Sequence, residues 1–392
     1  MRFTLTFAIG LAVSACLADP IPDSIRNPRG DKDNSENRNP EEQTPSEELP
    51  SPQGRTYYVC GVQSSAKDGN HLVLFKGTER QFSLLCDEKH HISTDSDTHF
   101  LFDGDLYTTW HGEGKTVICK NGEELYSWDQ EEYIKDMIMS GEELWTISIP
   151  LKADGFRLRK NSVIKYNSTC GSPGDLYIDN GSVCFRYSER ATGRKRLHLV
   201  QNASDVLTEE LDGAQHDIRI INGQIWSLTH EEGEVLLKCG KRENWYKPHE
   251  GFTAIGGSIC VSPDGDTFAS IRMQSNYSPM QAEQIHLQDT TVLCGTGSGS
   301  FLISGQYPMR LLTLDKDMKN LHIGSLTKGY ENYTLPDVMF AGKRCAAQES
   351  GRLYLALTPK DTGKDCFIWS EGQTYAIDLK GTVSGICFSQ SR

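Results

Sequence analysis

The chain has 392 residues, 37% hydrophobic and 24% charged, with a formal net charge of −13. That composition supports one large globular domain or two or three small ones. An acidic surface with no Lys/Arg cluster repels phosphate backbones and anionic lipid, so nucleic acid is not an expected partner.

Residues 1–18 read as a signal peptide. Arg2 precedes the apolar run "FTLTFAIGLAVSACLA", which is short for a membrane span and ends in small residues. Two endings fit it. Cleavage before Asp19 would release a soluble exported chain. Val13-Ser14-Ala15-Cys16 instead has the form of a bacterial lipobox, with Cys16 as the lipidated first residue. The second ending makes the chain an exported protein of the bacterial outer membrane or cell surface, or one facing the periplasm. Its only membrane contact would be the N-terminal lipid. Residues 19–55 are rich in proline and charge and poor in aliphatics, so they cannot bury a core and are expected to be a disordered tether. As a coil this segment would reach about 30–35 Å.

Residues 56–392 predict an all-β domain. Short strand-like runs bounded by Gly, Asn, Asp and Ser recur throughout. A turn followed by an apolar strand begins near Tyr57, Leu106, Leu144, Val183, Ile225, Phe268, Leu311 and Leu353. The intervals of 38 to 49 residues are those of β-propeller blades, and eight four-stranded units fill the domain, with seven as the alternative count. Within each unit the first strand joins the second through a tight turn, as at Ser140-Gly141, Asn180-Gly181 and Asn222-Gly223. The first unit lacks its first strand, and the C-terminal run Val383–Ser389 has no unit after it. The C-terminal strand is therefore expected to complete the first unit and close the ring.

The lipobox, the tether and the unit "LYTTW…VICKNGEELYSWDQ…IKDMIMSGEELW" together resemble the β-propeller surface lipoproteins of Bacteroidota. The resemblance covers the whole mature chain in layout and the second unit in wording. It implies a monomeric cell-envelope protein and no particular reaction. Sialidase Asp-boxes are not matched: "STDSDTHF" and "SPDGDTF" both depart from that pattern and read as hairpin turns.

Eleven cysteines follow Cys16, widely spaced and without a C-x-x-C pair, many inside apolar strand runs. They are expected to be mostly buried thiols. No phosphate loop, H-E-x-x-H or G-x-S-x-G occurs, and neither metal nor cofactor is expected. The functional candidates lie on the connections that a propeller gathers at one face. Trp110, His111 and Glu113 fall on one second-to-third-strand hairpin, and His230 and Glu231 on another; His216 and Asp217 fall on a link between units. Histidine and carboxylate can bind a ligand or run acid–base chemistry, and Trp110 can stack on a sugar ring. Trp145, Trp226, Trp245 and Trp369 are expected in the core. Two function classes follow: a non-catalytic module binding a glycan, peptide or protein, and a polysaccharide hydrolase or lyase with His/carboxylate residues at the central channel.

Overall fold

The computed structural model describes residues 56–389, except 66, 192–193, 212–214, 232, 262–266, 278–280, 288–289, 296–298, 304–309, 315–319, 326–328, 350 and 362. The expected signal peptide with Cys16 and the expected tether, residues 1–55, lie outside the described residues.

The described chain is a β-propeller, built as eight antiparallel sheets with a four-strand path in each. We number the sheets in chain order and name strands from the inner edge outwards. Sheet 2 shows the plan: His99–Phe102, Asp105–Gly112, Lys115–Lys120 and Glu123–Trp128. Sheet 3 repeats it with Glu132–Ser140, Glu143–Pro150, Phe156–Lys160 and Val163–Ser168. In sheet 4 the inner strand is split into Ser172–Pro173 and Tyr177–Asp179, both against Ser182–Ala191. All eight unit starts read from the sequence fall on the second strand of a sheet, from Tyr57–Ser65 in sheet 1 to Arg352–Pro359 in sheet 8.

Sheet 1 is made from both ends of the chain. Gly381–Phe388 pairs antiparallel with Tyr57–Ser65, from Tyr57 opposite Phe388 to Gln63 opposite Gly381. Two glycines make the seam possible. A Cβ on Gly61 would lie 2.5 Å from the Thr382 carbonyl oxygen, and one on Gly381 would lie 1.9 Å from that of Val62.

Strands alternate their side chains between two faces, and here both faces are buried because each sheet lies between two others. In sheet 1, Val59, Val73 and Phe75 pack with Tyr354, Ile368 and Leu379 of the sheet 8 region. Their neighbours Cys60, Leu72 and Leu74 pack with Leu106 of sheet 2. That is why the strands read as unbroken apolar runs. The nine cysteines whose side chains are described are free thiols, and Cys60, Cys119, Cys184, Cys345 and Cys366 are buried.

The repeat also has a polar signature. At the turn into the outer strand, Asn121, Asn161 and Asn202 adopt left-handed φ of 52°, 57° and 47°. Each side-chain oxygen accepts from the backbone N–H at the start of the second strand: Leu106 at 2.8 Å, Leu144 at 3.0 Å and Val183 at 3.1 Å. Asparagine tolerates this backbone region and supplies the acceptor, so one residue type does both jobs. Four residues further on, the outer strand carries a bulge. Gln81, Leu125, Lys165 and Val206 are each skipped by the pairing.

Candidate functional site

The inner strands carry the second recurring irregularity. Lys135, His216, Ile255 and Ser384 are bulged in sheets 3, 5, 6 and 1. A bulge turns the next side chain out of the alternation. After two of them stands an aspartate, and each reaches into the following sheet. Asp136 accepts from the Leu176 N–H at 2.7 Å, and Asp217 from the Ile259 N–H at 2.8 Å. Asp179, at the end of its inner strand, accepts from the Asn222 and Gly223 N–H groups at 2.6 and 2.9 Å. Tyr177 OH accepts from the Ile220 N–H at 2.9 Å.

Asp217 is the centre of the largest of these arrangements. It is fully buried, with Arg186 of sheet 4 at 2.8 Å and Arg219 of its own strand at 3.1 Å. The Ile218 N–H donates to it at 2.9 Å. Both arginines are about one-third exposed, and the Arg219 guanidinium lies 5.5 Å from the Tyr177 ring centre.

Glu132, at the start of the inner strand of sheet 3, is the matching case. It too is fully buried. Arg159 donates to both its oxygens at 2.9 and 3.2 Å, Arg157 donates to one, and Ser148 donates at 2.5 Å. Burial alone would raise its pKa, but the Arg159, Ser148 and Arg157 hydrogen bonds outweigh it, so the carboxyl titrates below the usual glutamate range. Arg159 also lies 4.2 Å over the Trp128 ring of sheet 2, tying the two sheets together.

His99 performs the same service at the closing seam. Its Nε2 is 2.9 Å from the Ser93 carbonyl, which can only accept, so Nε2 carries the proton. Nδ1 then accepts from the Ser384 hydroxyl at 3.1 Å. Burial pushes its pKa down to about 4, so it is neutral near pH 7. Arg344 donates to the Asp97 and His99 carbonyls at 3.0 Å each, joining the turn before the sheet 8 strand Ala346–Glu349 to sheet 2.

The candidates read from the sequence separate into two places. Trp110, His111 and Glu113 stand on one hairpin of sheet 2. Trp110 is half-buried and packs against His91, ring centres 4.7 Å apart. A Cβ on Gly112 would lie 2.6 Å from the Trp110 ring, so only glycine lets the indole lie there. His111 and Glu113 are exposed, Glu113 with a left-handed φ of 50°. The Gly114 N–H donates to Glu131 at 3.0 Å, and that bond, then Lys152 at 3.1 Å, holds the Glu131 carboxyl below its usual range. The rim of sheet 2 therefore includes His91, Glu131 and Lys152 as well.

His230 occupies the register position in sheet 5 that His111 holds in sheet 2: they pair with Val235 and Thr116, the second residues of the following strands. Sheets 3 and 4 stand between them in chain order. The side chains of His216 and Glu231 lie outside the described residues. Asp217 is in the buried arrangement above rather than on an exposed rim. Of the four tryptophans expected in the core, Trp145, Trp226 and Trp369 are buried, whereas Trp245 is 48% exposed on the outer strand of sheet 5.

A further polar knot joins the outer strands of sheets 3 and 4. Tyr166 OH lies 2.8 Å from Tyr187 OH and donates to Asp205 at 3.0 Å. His198 stacks on Tyr187 with ring centres 4.2 Å apart and approaches Glu189 at 3.3 Å. The Cys170 thiol donates to Glu189 at 2.6 Å, which raises its pKa; Cys170 is not an activated nucleophile. Among the described residues, no group of three or more His, Cys, Asp and Glu is placed to hold a metal ion.

No family model matches the chain, and no curated protein matches it in sequence. Solved structures do resemble it. Apo AztD from Citrobacter koseri aligns with a TM-score of 0.51 at 9% identity, over 86% of this chain and 99% of that one. Hsv2 from Kluyveromyces lactis aligns at 0.43 and 10% identity, over 75% and 95%. An oligogalacturonate lyase in complex with manganese aligns at 0.44 and 10% identity, over 86% and 97%. These are β-propeller proteins. The likeness to AztD establishes the fold alone.

Proposed function

We propose that the chain is an exported, lipid-anchored propeller that binds a glycan or protein ligand without transforming it. The observation that carries this reading is the engagement of the inner carboxylates. Asp217 and Glu132 are each buried against two arginines, and Asp217 is further held by two backbone N–H groups. Carboxylates so neutralised hold sheets in register and are poor proton shuttles. Hydrolysis of a polysaccharide would need an acid–base pair at a set separation beside the channel. The rim of sheet 2 offers contact chemistry instead: the His91–Trp110 pair, with His111 and Glu113 exposed beside it. A lipid on Cys16 followed by the tether of residues 19–55 would hold that rim away from a membrane.

The test has two readouts on the same samples. The purified chain is screened against polysaccharides and envelope extracts for retention and for product, measured as new reducing ends and as absorbance from unsaturated sugar. Retention without product, lost in Trp110→Ala and in His230→Trp, is the expected result. Product that accumulates with enzyme concentration would overturn the binding reading. Mass spectrometry of the mature N-terminus tests the anchor. A diacylglycerol-modified Cys16 supports it, and a lipid-free chain beginning at Asp19 refutes it.

A further inference from the structure

We propose that the gap between sheets 3 and 4, at the end of the sheets opposite the His111 hairpin, is a binding site for an anionic sugar. A cavity of about 370 Å³ lies there, lined by Ser140, Glu143, Trp145, Lys160, Lys165 and Asn202. This volume suits one small ligand rather than a macromolecular surface.

The corresponding space between sheets 1 and 2 is filled. Trp145 pairs with Lys160 at the end of the third strand, and Tyr58 pairs with Lys76 at the same place in sheet 1. Between sheets 1 and 2, Tyr58 packs onto the turn glycine Gly104, where a Cβ would meet its ring at 2.6 Å. Leu84 packs onto Gly122 in the same manner, at 2.8 Å. The turn residue corresponding to Gly104 in sheet 4 is Gly181, and a Cβ there would meet nothing within 4 Å, as is also true of Gly141 and Gly223 in sheets 3 and 5. The gap filled by Tyr58 and Leu84 between the first two sheets is open between these two.

The chemistry of the lining selects the ligand. Lys160 is paired with Glu143 at 2.5 Å and lies 5.6 Å from the Trp145 ring centre. Lys165 is the bulged residue of its outer strand, where the other sheets carry Gln81, Leu125 and Val206. The bulge thus brings to this cavity a cation with no carboxylate partner among the described residues. Two lysines and one glutamate leave the lining at net +1 on a chain of −13. Trp145 is 7% exposed and contributes to the wall of the cavity. Ser140 and Asn202 add polar groups to the lining, with the Asn202 amide already bonded to the Val183 N–H and the Ser182 hydroxyl. The anionic group could be a carboxylate, as in a sugar acid, or a phosphate, as in a sugar phosphate.

Calorimetric titration of the full chain with glucuronate, glucose 6-phosphate and glucose separates the two sources. Saturable binding of one anion and not of glucose is expected, and the anion that saturates names the source. Lys165→Glu should abolish it, Lys165→Ala should weaken it by about tenfold or more, and Lys165→Arg should retain it. Lys165 is exposed and unpaired among the described residues, so its variants should melt with the wild type, and that melt is the control for folding. No saturation by either anion, equal binding of glucose, or binding untouched by Lys165→Glu would each overturn the proposal. None of these results bears on the rim of sheet 2, which is tested separately by Trp110→Ala.

Discussion

Asp217 of sheet 5 accepts a 2.8 Å hydrogen bond from the backbone N–H of Ile259 in sheet 6, while the Arg186 side chain of sheet 4 lies 2.8 Å from its other oxygen. One buried carboxylate therefore fixes three consecutive sheets. Removing it leaves two buried backbone N–H groups without their acceptor and two partly exposed arginines without their counter-charge. Asp217→Ala is expected to cost about 3–5 kcal/mol in urea unfolding, and Asp217→Asn less, since the amide oxygen can still accept. A loss below about 1 kcal/mol for the alanine variant would contradict this role.

His99 sets an acid limit on stability. Its native pKa of about 4 lies below the usual value of 6.5, so at intermediate pH the unfolded chain binds the proton and the native chain does not. Stability is then full above about pH 6.5 and falls as pH drops towards 4, by about 3 kcal/mol in all. Glu132, with its depressed pKa, adds a loss that starts lower, as pH falls below the ordinary glutamate range. Urea midpoints from pH 7 to pH 4 should show a slope that His99→Gln flattens. An unchanged slope in that variant would assign the acid sensitivity elsewhere.

The seam of sheet 1 can be probed without truncation. Gly381→Ala places a methyl group 1.9 Å from the Val62 carbonyl, and Gly61→Ala places one 2.5 Å from that of Thr382. Both should lower the melting temperature, with losses of about 1–3 kcal/mol or more. Gly256→Ala, on the inner strand of sheet 6, meets only an ordinary contact at 3.9 Å and serves as the control. Equal melting of all three variants would show that the seam tolerates separation.

Asn161 combines a left-handed φ of 57° with the bond to Leu144. Asn161→Gly keeps the backbone and loses only the bond, about 1 kcal/mol. Asn161→Ala adds left-handed strain of about 1–2 kcal/mol. Chemical denaturation should therefore rank wild type, glycine and alanine in that order.

The ring was legible because its markers are local. Turn pairs such as Asn180-Gly181 and the apolar run after each can be read in a window of ten residues, and the unpaired C-terminal strand follows by elimination. Trp245 was misread because the outer strand has a polar outer face and a one-residue slip exchanges the faces: Tyr246 is buried and Trp245 is not. Asp217 sits beside a bulge that no local pattern announces, so its inward turn was not visible. The partners of Glu132 lie 25 and 27 residues away on another strand. Even so, Arg157 and Arg159 are two apart and can share a face, a period-2 hint of a common acceptor.

Thr56 and Ser389 meet in sheet 1: the Ser389 N–H donates to the Thr56 carbonyl at 2.9 Å, and the Thr56 N–H to the Ser389 hydroxyl at 3.2 Å. The two ends of the described propeller are thus joined as neighbouring strands. A circular permutant that joins 389 to 56 through a short linker and opens at the exposed Leu151–Asp154 turn should rebuild the same ring. Its seam would move to sheet 3, with the other seven sheets wound from contiguous chain. The native order carries a kinetic burden instead. Tyr57–Ser65 emerges first and must wait, one edge unpaired, until the last strand of the chain arrives.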